Sequence, residues 1–510
     1  MNKKLLPFIM VSAAAFSITA CKNNDHHPAS ATAREHFIET QFFDSTVKPA
    51  DDFYRFVNGK WLDTVKIPGD QSGVGSFYDL AKTTRERMRS LLEEAAKNNG
   101  DTGSIEQKVG DFYISGMDTA TIDELGYDPV KPLLAQVESA KDIPALLAFA
   151  ALEEKAGNET IFGFEVFPDL KNSSMNIANL GQTGLGLPDR DYYFKTDSAT
   201  LAVQEAYKNY LTALFELTGA DAATASKNTG IVYAIEKNLA ASHKTQVQMR
   251  DIPANYHKLT LSAITKEQPK IGWPAFFSNL GAKVDSVNMG QPAYYAKLNT
   301  LLQTVPLADW KLYFKAHTLK AYATVLSRPF RDAAFGYAKT LNGQKVQKPR
   351  WETLSIAVDK ELGEAFGQLY VQKYFPPEAK QRMNELVDNL VIAFSKRIQN
   401  LDWMSDSTKA VAQDKLKAFR RKIGYPDKWR DYSKVIIDKS KYFENTVAGR
   451  QNNFDFNLSQ LGNPVDQSLW YMTPQTVNAY YNPTMNEIVF PAAILQPPFF
   501  DPRADAAINY

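Results

Sequence analysis

The sequence predicts a mainly α-helical protein with small β hairpins, and three observations carry that expectation. Apolar residues recur at three-to-four spacing through several long stretches, Gly and Pro punctuate their ends, and short alternating runs flank turn residues. The 510 residues, 44% hydrophobic and 23% charged, have ordinary globular composition, which excludes collagen, coiled coil and wholesale disorder. At about 150 residues per domain, this length implies roughly two to four domains or one large bilobal unit. Lys+Arg 58 against Asp+Glu 57 leaves no charge excess to attract a nucleic acid.

Residues 1–20 read as an export signal of the lipoprotein kind. Lys3 and Lys4 form a basic start, Leu5 to Ala20 is apolar or small, and the run is short for a bilayer span. Ile18-Thr19-Ala20-Cys21 resembles a bacterial lipobox, which makes Cys21 the candidate lipidation site and membrane anchor; a simple cleaved signal beside an incidental cysteine is the alternative. Cys21 is the sole cysteine, so no intramolecular disulfide forms and stability rests on packing. Residues 21–35 form a polar tether, with a reach on the order of 20 Å for a flexible chain of this length. His26 and His27 lie in it as solvated histidines.

Beyond the tether, Thr83 to Asn99 places Met88, Leu91, Leu92 and Ala95 on one helical face and stops at Gly100. Asp142 to Lys155, Ala199 to Leu217 and Ala222 to Ser242 follow the same logic. Thr160 to Phe167 alternates, turns through Pro168 to Asn172 and returns over Ser174 to Leu180 as a hairpin. Glu378 to Gln399 is helical, and Ser407 is expected to cap a further helix closed by Gly424. Asp309 to Arg350 carries nine Lys/Arg against two Asp/Glu and is read as a solvated face or inter-domain contact.

The search for chemistry is mostly negative. No His-Glu-x-x-His occurs, and His36, His243, His257 and His317 have no second histidine at helical ligand spacing. Ser45-x-x-Lys48 lacks the other motifs of penicillin-interacting enzymes, and the Gly181, Gly184, Gly186 run has the wrong spacing for a dinucleotide turn and reads as a tight loop. The informative stretch is Thr476 to Tyr481, read as a short strand, with a turn over Asn482 to Asn486 and a return over Glu487 to Phe490 closed by Pro491. A short strand of this kind is expected at a sheet edge, where it can accept an extended peptide. The Asn478 amide, able to donate and accept, can then fix the peptide's register. An ordinary hairpin with an incidental Asn is the alternative.

Val477-Asn478-Ala479-Tyr480-Tyr481, Ile488-Val489-Phe490-Pro491-Ala492 and Ile494-Leu495-Gln496-Pro497-Pro498-Phe499-Phe500 together resemble the neprilysin family of zinc metallopeptidases. Supporting matches are Asp52-Phe53-Tyr54 through Gly59-Lys60-Trp61, Gly184-Leu185-Gly186-Leu187-Pro188 with Tyr192-Tyr193, Pro349-Arg350-Trp351, Leu362-Gly363-Glu364-Ala365 and Ile423-Gly424-Tyr425-Pro426. They span almost everything from Asp51 onward.

The resemblance implies a two-lobed, mostly helical ectodomain. Residues 36–430 would form mainly the helical lobe, and residues 431–510 would start a catalytic lobe left incomplete before the zinc motif. It further implies hydrolysis of oligopeptides, with Asn478 and Ala479 binding substrate backbone and zinc bound in the complete enzyme. This chain by itself is expected to bind no metal and to lack catalytic residues. Gly73 stands where the family carries an arginine for a substrate's terminal carboxylate, which puts that preference in doubt. The expected setting is the bacterial cell envelope, facing the periplasm or exterior. A peptide-binding or scaffold lipoprotein without a zinc site is the rival reading. Ile494, Leu495, Phe499 and Phe500 are expected to be partly uncovered.

Overall fold

The computed structural model describes residues 37–98 and 100–510. The leader, Cys21, the tether and His36 lie outside the described residues. Two compact units are distinguished, up to Trp61 and from Leu62 to Tyr510. In the first, the Asp44 N–H donates to the Phe56 carbonyl at 2.7 Å and Phe43 packs on Phe56 with ring centroids 5.1 Å apart. Gly59 is required there, because a Cβ would stand 2.5 Å from that of Asp44.

In the second unit, long helices alternate with two small sheets. The helices begin where short polar side chains satisfy the first free N–H groups. Ser104 caps Ile105–Met117, Asp142 caps Ile143–Lys155, Asp197 caps Ser198–Leu217 and Asp221 caps Ala222–Ala240. Strand β1 (Gly163–Asp169) pairs antiparallel with β2 (Asn172–Gly181), as its alternation predicts. β2 continues in parallel to β4 (Ser286–Met289), which pairs antiparallel with β3 (Lys258–Thr260), giving the order β1-β2-β4-β3. In the second sheet, ordered β5-β7-β6, β5 (Arg420–Gly424) runs parallel to β7 (Glu487–Pro491), and β6 (Tyr480–Asn482) closes it as an antiparallel edge. One apolar cluster runs from Met88 through Trp273, Trp310 and Leu354 to Phe500. Among the described residues, no helix is long and apolar enough to cross a membrane.

The Gly181 to Tyr193 loop is built around a buried acid. Glu236 accepts from Tyr193 Oη at 2.8 Å, from Tyr207 Oη at 2.6 Å and from His317 Nε2 at 2.8 Å. Burial lowers the His317 pKa, so the ring is neutral and Nε2 carries the proton toward the carboxylate. Tyr193 Oη also receives the Gly186 and Leu187 N–H groups at 3.0 and 3.1 Å, which ties the loop to the acid. Gly184 takes a φ of +88°, and a Cβ on Gly186 would fall 1.7 Å from Tyr207 Oη.

Three expectations are corrected. Ser405, not Ser407, caps the Asp406–Lys417 helix, and Gly424 ends strand β5, because Arg420 to Gly424 is drawn into the sheet by β7. Asn478 and Ala479 precede β6 instead of lying in it, since strand pairing begins only at Tyr480. Ile494, Leu495 and Phe500 are buried, so these three are covered, while Phe499 stays partly exposed as expected, its ring tilted against Phe77 with centroids 4.3 Å apart. Apolar side chains also line a groove of about 710 Å³ that includes Leu390, Phe394, Trp403, Tyr481 and Ile488. Much of the basic Asp309 to Arg350 stretch is consumed by contacts within the fold. Lys311 binds the Glu138 carbonyl, Arg331 pairs with Asp123, Lys348 with Glu352, and Arg350 donates to the Gly116 carbonyl.

Candidate functional site

The segment leading into β6 is held by the helix Arg350–Tyr374. That helix is kinked at Leu362 (φ −124°, ψ 31°) and carries Gly363 and Gly367, one turn apart on one face. Both glycines are needed for close approach. A Cβ at 363 would meet Thr473 Cγ2 at 2.5 Å, and one at 367 would meet Pro474 Cδ at 2.8 Å. Thr473 cannot rotate freely out of the way, because its hydroxyl donates to Asp359 Oδ1 at 2.9 Å and lies 2.8 Å from that of Thr476. Gln475 Nε2 donates to the same Asp359 oxygen at 2.6 Å and to the Gly363 carbonyl at 2.8 Å, while Ala493 N–H binds the Pro474 carbonyl. Desolvation pushes the Asp359 carboxyl up to about 6, against hydrogen bonds from Thr473 and Gln475 that favour its charged form.

Asn478 therefore rises from a fixed base. Its N–H closes a tight turn onto the Thr476 carbonyl at 3.0 Å, and its Oδ1 accepts from Ala479 N–H at 2.8 Å. The side chain is exposed, and its Nδ2 donates to nothing among the described residues. β6 follows at once, paired only on the β7 side. Beneath the sheet, buried Glu487 pairs with Lys422 at 2.8 Å, and Lys422 also donates to the Leu469 carbonyl. The β6–β7 turn is set by Asn482, which accepts from Thr484, and by Asn486 in the left-handed region at φ +49°. This arrangement leaves an exposed amide donor next to the free edge of β6.

Sequence reasoning missed Asp359, Thr473 and Gln475, which position the segment. The available signal was the Gly363-x-x-x-Gly367 spacing, which marks a close approach on one helix face. Gly73 lies against Tyr78, whose hydroxyl would be 2.8 Å from a Cβ there. Two of the described histidines are engaged elsewhere: His317 binds Glu236, and His243 Nε2 lies 3.1 Å from the Thr183 carbonyl. Among the described residues, no three His, Cys, Asp or Glu side chains converge as a metal set, so these residues do not fit a zinc ion.

Comparison with known proteins gives the class to which this mostly helical body belongs. Family models described as peptidase family M13 match residues 49–426 and 478–510. Neprilysin-3 of Drosophila melanogaster is 31% identical over 92% of this chain and 63% of its own length. An endothelin-converting enzyme homolog of Locusta migratoria is 30% identical over 92% of the chain and 68% of its own. The solved zinc metalloprotease Zmp1 of Mycobacterium tuberculosis, in complex with an inhibitor, superposes with a TM-score of 0.88 at 37% identity, covering 92% of this chain and 72% of that one. PepO from Lactobacillus rhamnosis shares the fold with a TM-score of 0.82 at 24% identity, over 91% and 74% of the two chains. The chain belongs to peptidase family M13. It spans 63% of the length of Neprilysin-3.

Proposed function

We propose that this chain supplies the helical lobe and the first part of the substrate cleft of a zinc metalloendopeptidase acting on oligopeptides, with residues 431–510 opening the catalytic lobe. The observation that carries the reading is Asn478, exposed with an unused amide donor at the entrance to an edge strand and fixed from below by Asp359 and the two helix glycines. Asn478 and Ala479 fix the substrate backbone in this reading. The described residues bring no metal set together. The second reading is a peptide-binding or scaffold lipoprotein without catalysis. Chelator-sensitive cleavage of a quenched fluorescent peptide separates the two.

The test of peptide holding is binding of a labelled extended peptide to the 510-residue chain, followed by fluorescence anisotropy. Asn478→Ala is expected to weaken binding about tenfold, the scale of one good hydrogen bond to a peptide. Equal affinities with an unchanged circular dichroism spectrum would return Asn478 to an incidental loop residue.

We further propose that Cys21 carries the lipid that holds the protein at the cell envelope, facing the periplasm or exterior. The small residues before it and the polar tether after it motivate this. Mass analysis is expected to find a diacylglyceryl-modified N-terminal cysteine, and Cys21→Ser to release the protein from membranes; an unmodified mature terminus elsewhere would sink the idea.

A further inference from the structure

A carboxylate on the outer face of β1 neighbours a line of ring contacts that ends two residues after Asn478. Strand alternation puts Glu165 and Phe167 on one face of β1 and the buried Phe164 and Val166 on the other. Phe167 meets Tyr471 with ring centroids 6.2 Å apart. Tyr471 stands edge-on to Tyr480, again 6.2 Å between centroids, and donates its N–H to Tyr480 Oη at 3.0 Å. Tyr480 directly follows Asn478 and Ala479. A line of contacts thus leads from the outer face of β1 to the segment read as holding a peptide, and Glu165 is close enough to act electrostatically on the Tyr471 phenol.

Glu165 is exposed, yet partial desolvation raises the pKa of its carboxyl, and Glu159 repels it further. Among the described residues no cation offsets these effects. A partly desolvated carboxylate without a counter-charge gains more from an arriving cation than a fully hydrated one does. The neighbouring rings add a surface for the aliphatic stem of a long basic side chain and for cation–π contact.

We propose that Glu165 is a specificity-determining residue that selects peptides presenting a lysine or arginine side chain over the Phe167–Tyr471 ring pair. The inference rests on the reading that Asn478 holds the peptide backbone. It assigns the cationic group to a side chain and not to a peptide's N-terminus.

The experiment uses the full 510-residue chain and labelled, N-acetylated octapeptides in which one Lys, or its uncharged isostere norleucine, moves through the central positions. At one position Lys is expected to bind roughly fivefold tighter than norleucine at low salt, the upper range of a solvent-accessible ion pair. Glu165→Gln should bring that ratio to about one, whereas Asn478→Ala should weaken both peptides and keep the ratio. Equal binding of Lys and norleucine at every position, or a ratio that Glu165→Gln leaves unmoved, overturns the role of Glu165 while the Asn478 reading stands. A preference seen only with unacetylated peptides also overturns it, since the N-terminal amine is then the cation. Absence of binding by any peptide overturns both readings.

Discussion

Glu236→Leu is expected to be severely destabilising, by about 3–5 kcal/mol, because it strands three buried donors at once. Tyr193, Tyr207 and His317 all end on this carboxylate, and none has water to turn to: their relative exposures are 1%, 0% and 6%. The damage should spread to the Gly181 to Tyr193 loop, since Tyr193 passes the constraint on to the Gly186 and Leu187 N–H groups. The expected readout is a fall of roughly 5 °C in apparent melting temperature, with Glu236→Gln intermediate because it keeps one acceptor oxygen. A Leu variant as stable as the wild type would mean that the three donors find other partners.

Glu153 should behave in the opposite way. It is fully buried, Oε2 receives long bonds from Asn158 Nδ2 at 3.3 Å and Thr318 Oγ1 at 3.4 Å, and Oε1 has no partner. Desolvation pushes its pKa up to about 7 from the usual 4.5, with Asn158, Thr318 and Arg450 opposing. The folded state then holds this proton more tightly than the unfolded chain. Its contribution is fully present below pH 4.5 and is lost as pH rises through about 7. At 1.36 kcal/mol per pKa unit, the effect is about 3 kcal/mol. Glu153→Gln cannot ionise, so relative to wild type it should gain about 2 kcal/mol between pH 5 and pH 8, measured by urea unfolding at each pH. A constant difference across that range would show that Glu153 does not titrate there.

The contrast between these two acids marks the limit of reading along the chain. A glutamate in a helical pattern looks the same whether it closes a network or is left half-satisfied. The partner that decides the matter for Glu236, His317, lies 81 residues away. Helices with a polar cap and an apolar stripe were legible because both signals are local. The stretches from Asp142 and from Ala222 are helical as expected, and Asp142 and Asp221 cap them. The β1–β2 hairpin was legible for the same reason. The strand Arg420–Gly424 was not, because its amphipathic residues continue a helical run and only pairing with β7 makes them a strand.

By itself, the sequence determined the helical class, the hairpin carrying Glu165, the family and the neighbourhood of Asn478, since each rests on periodicity or on contiguous motifs. Tertiary structure alone decided how Asn478 is presented. Thr473 and Gln475 are captured by Asp359 and Gly363 from a helix more than a hundred positions earlier, so the chain stays out of the sheet until Tyr480 and the amide is left exposed. It also decided where apolar surface remains uncovered, in the groove lined by Leu390, Phe394 and Trp403, because which face of a helix is covered depends on the neighbours that the fold brings to it.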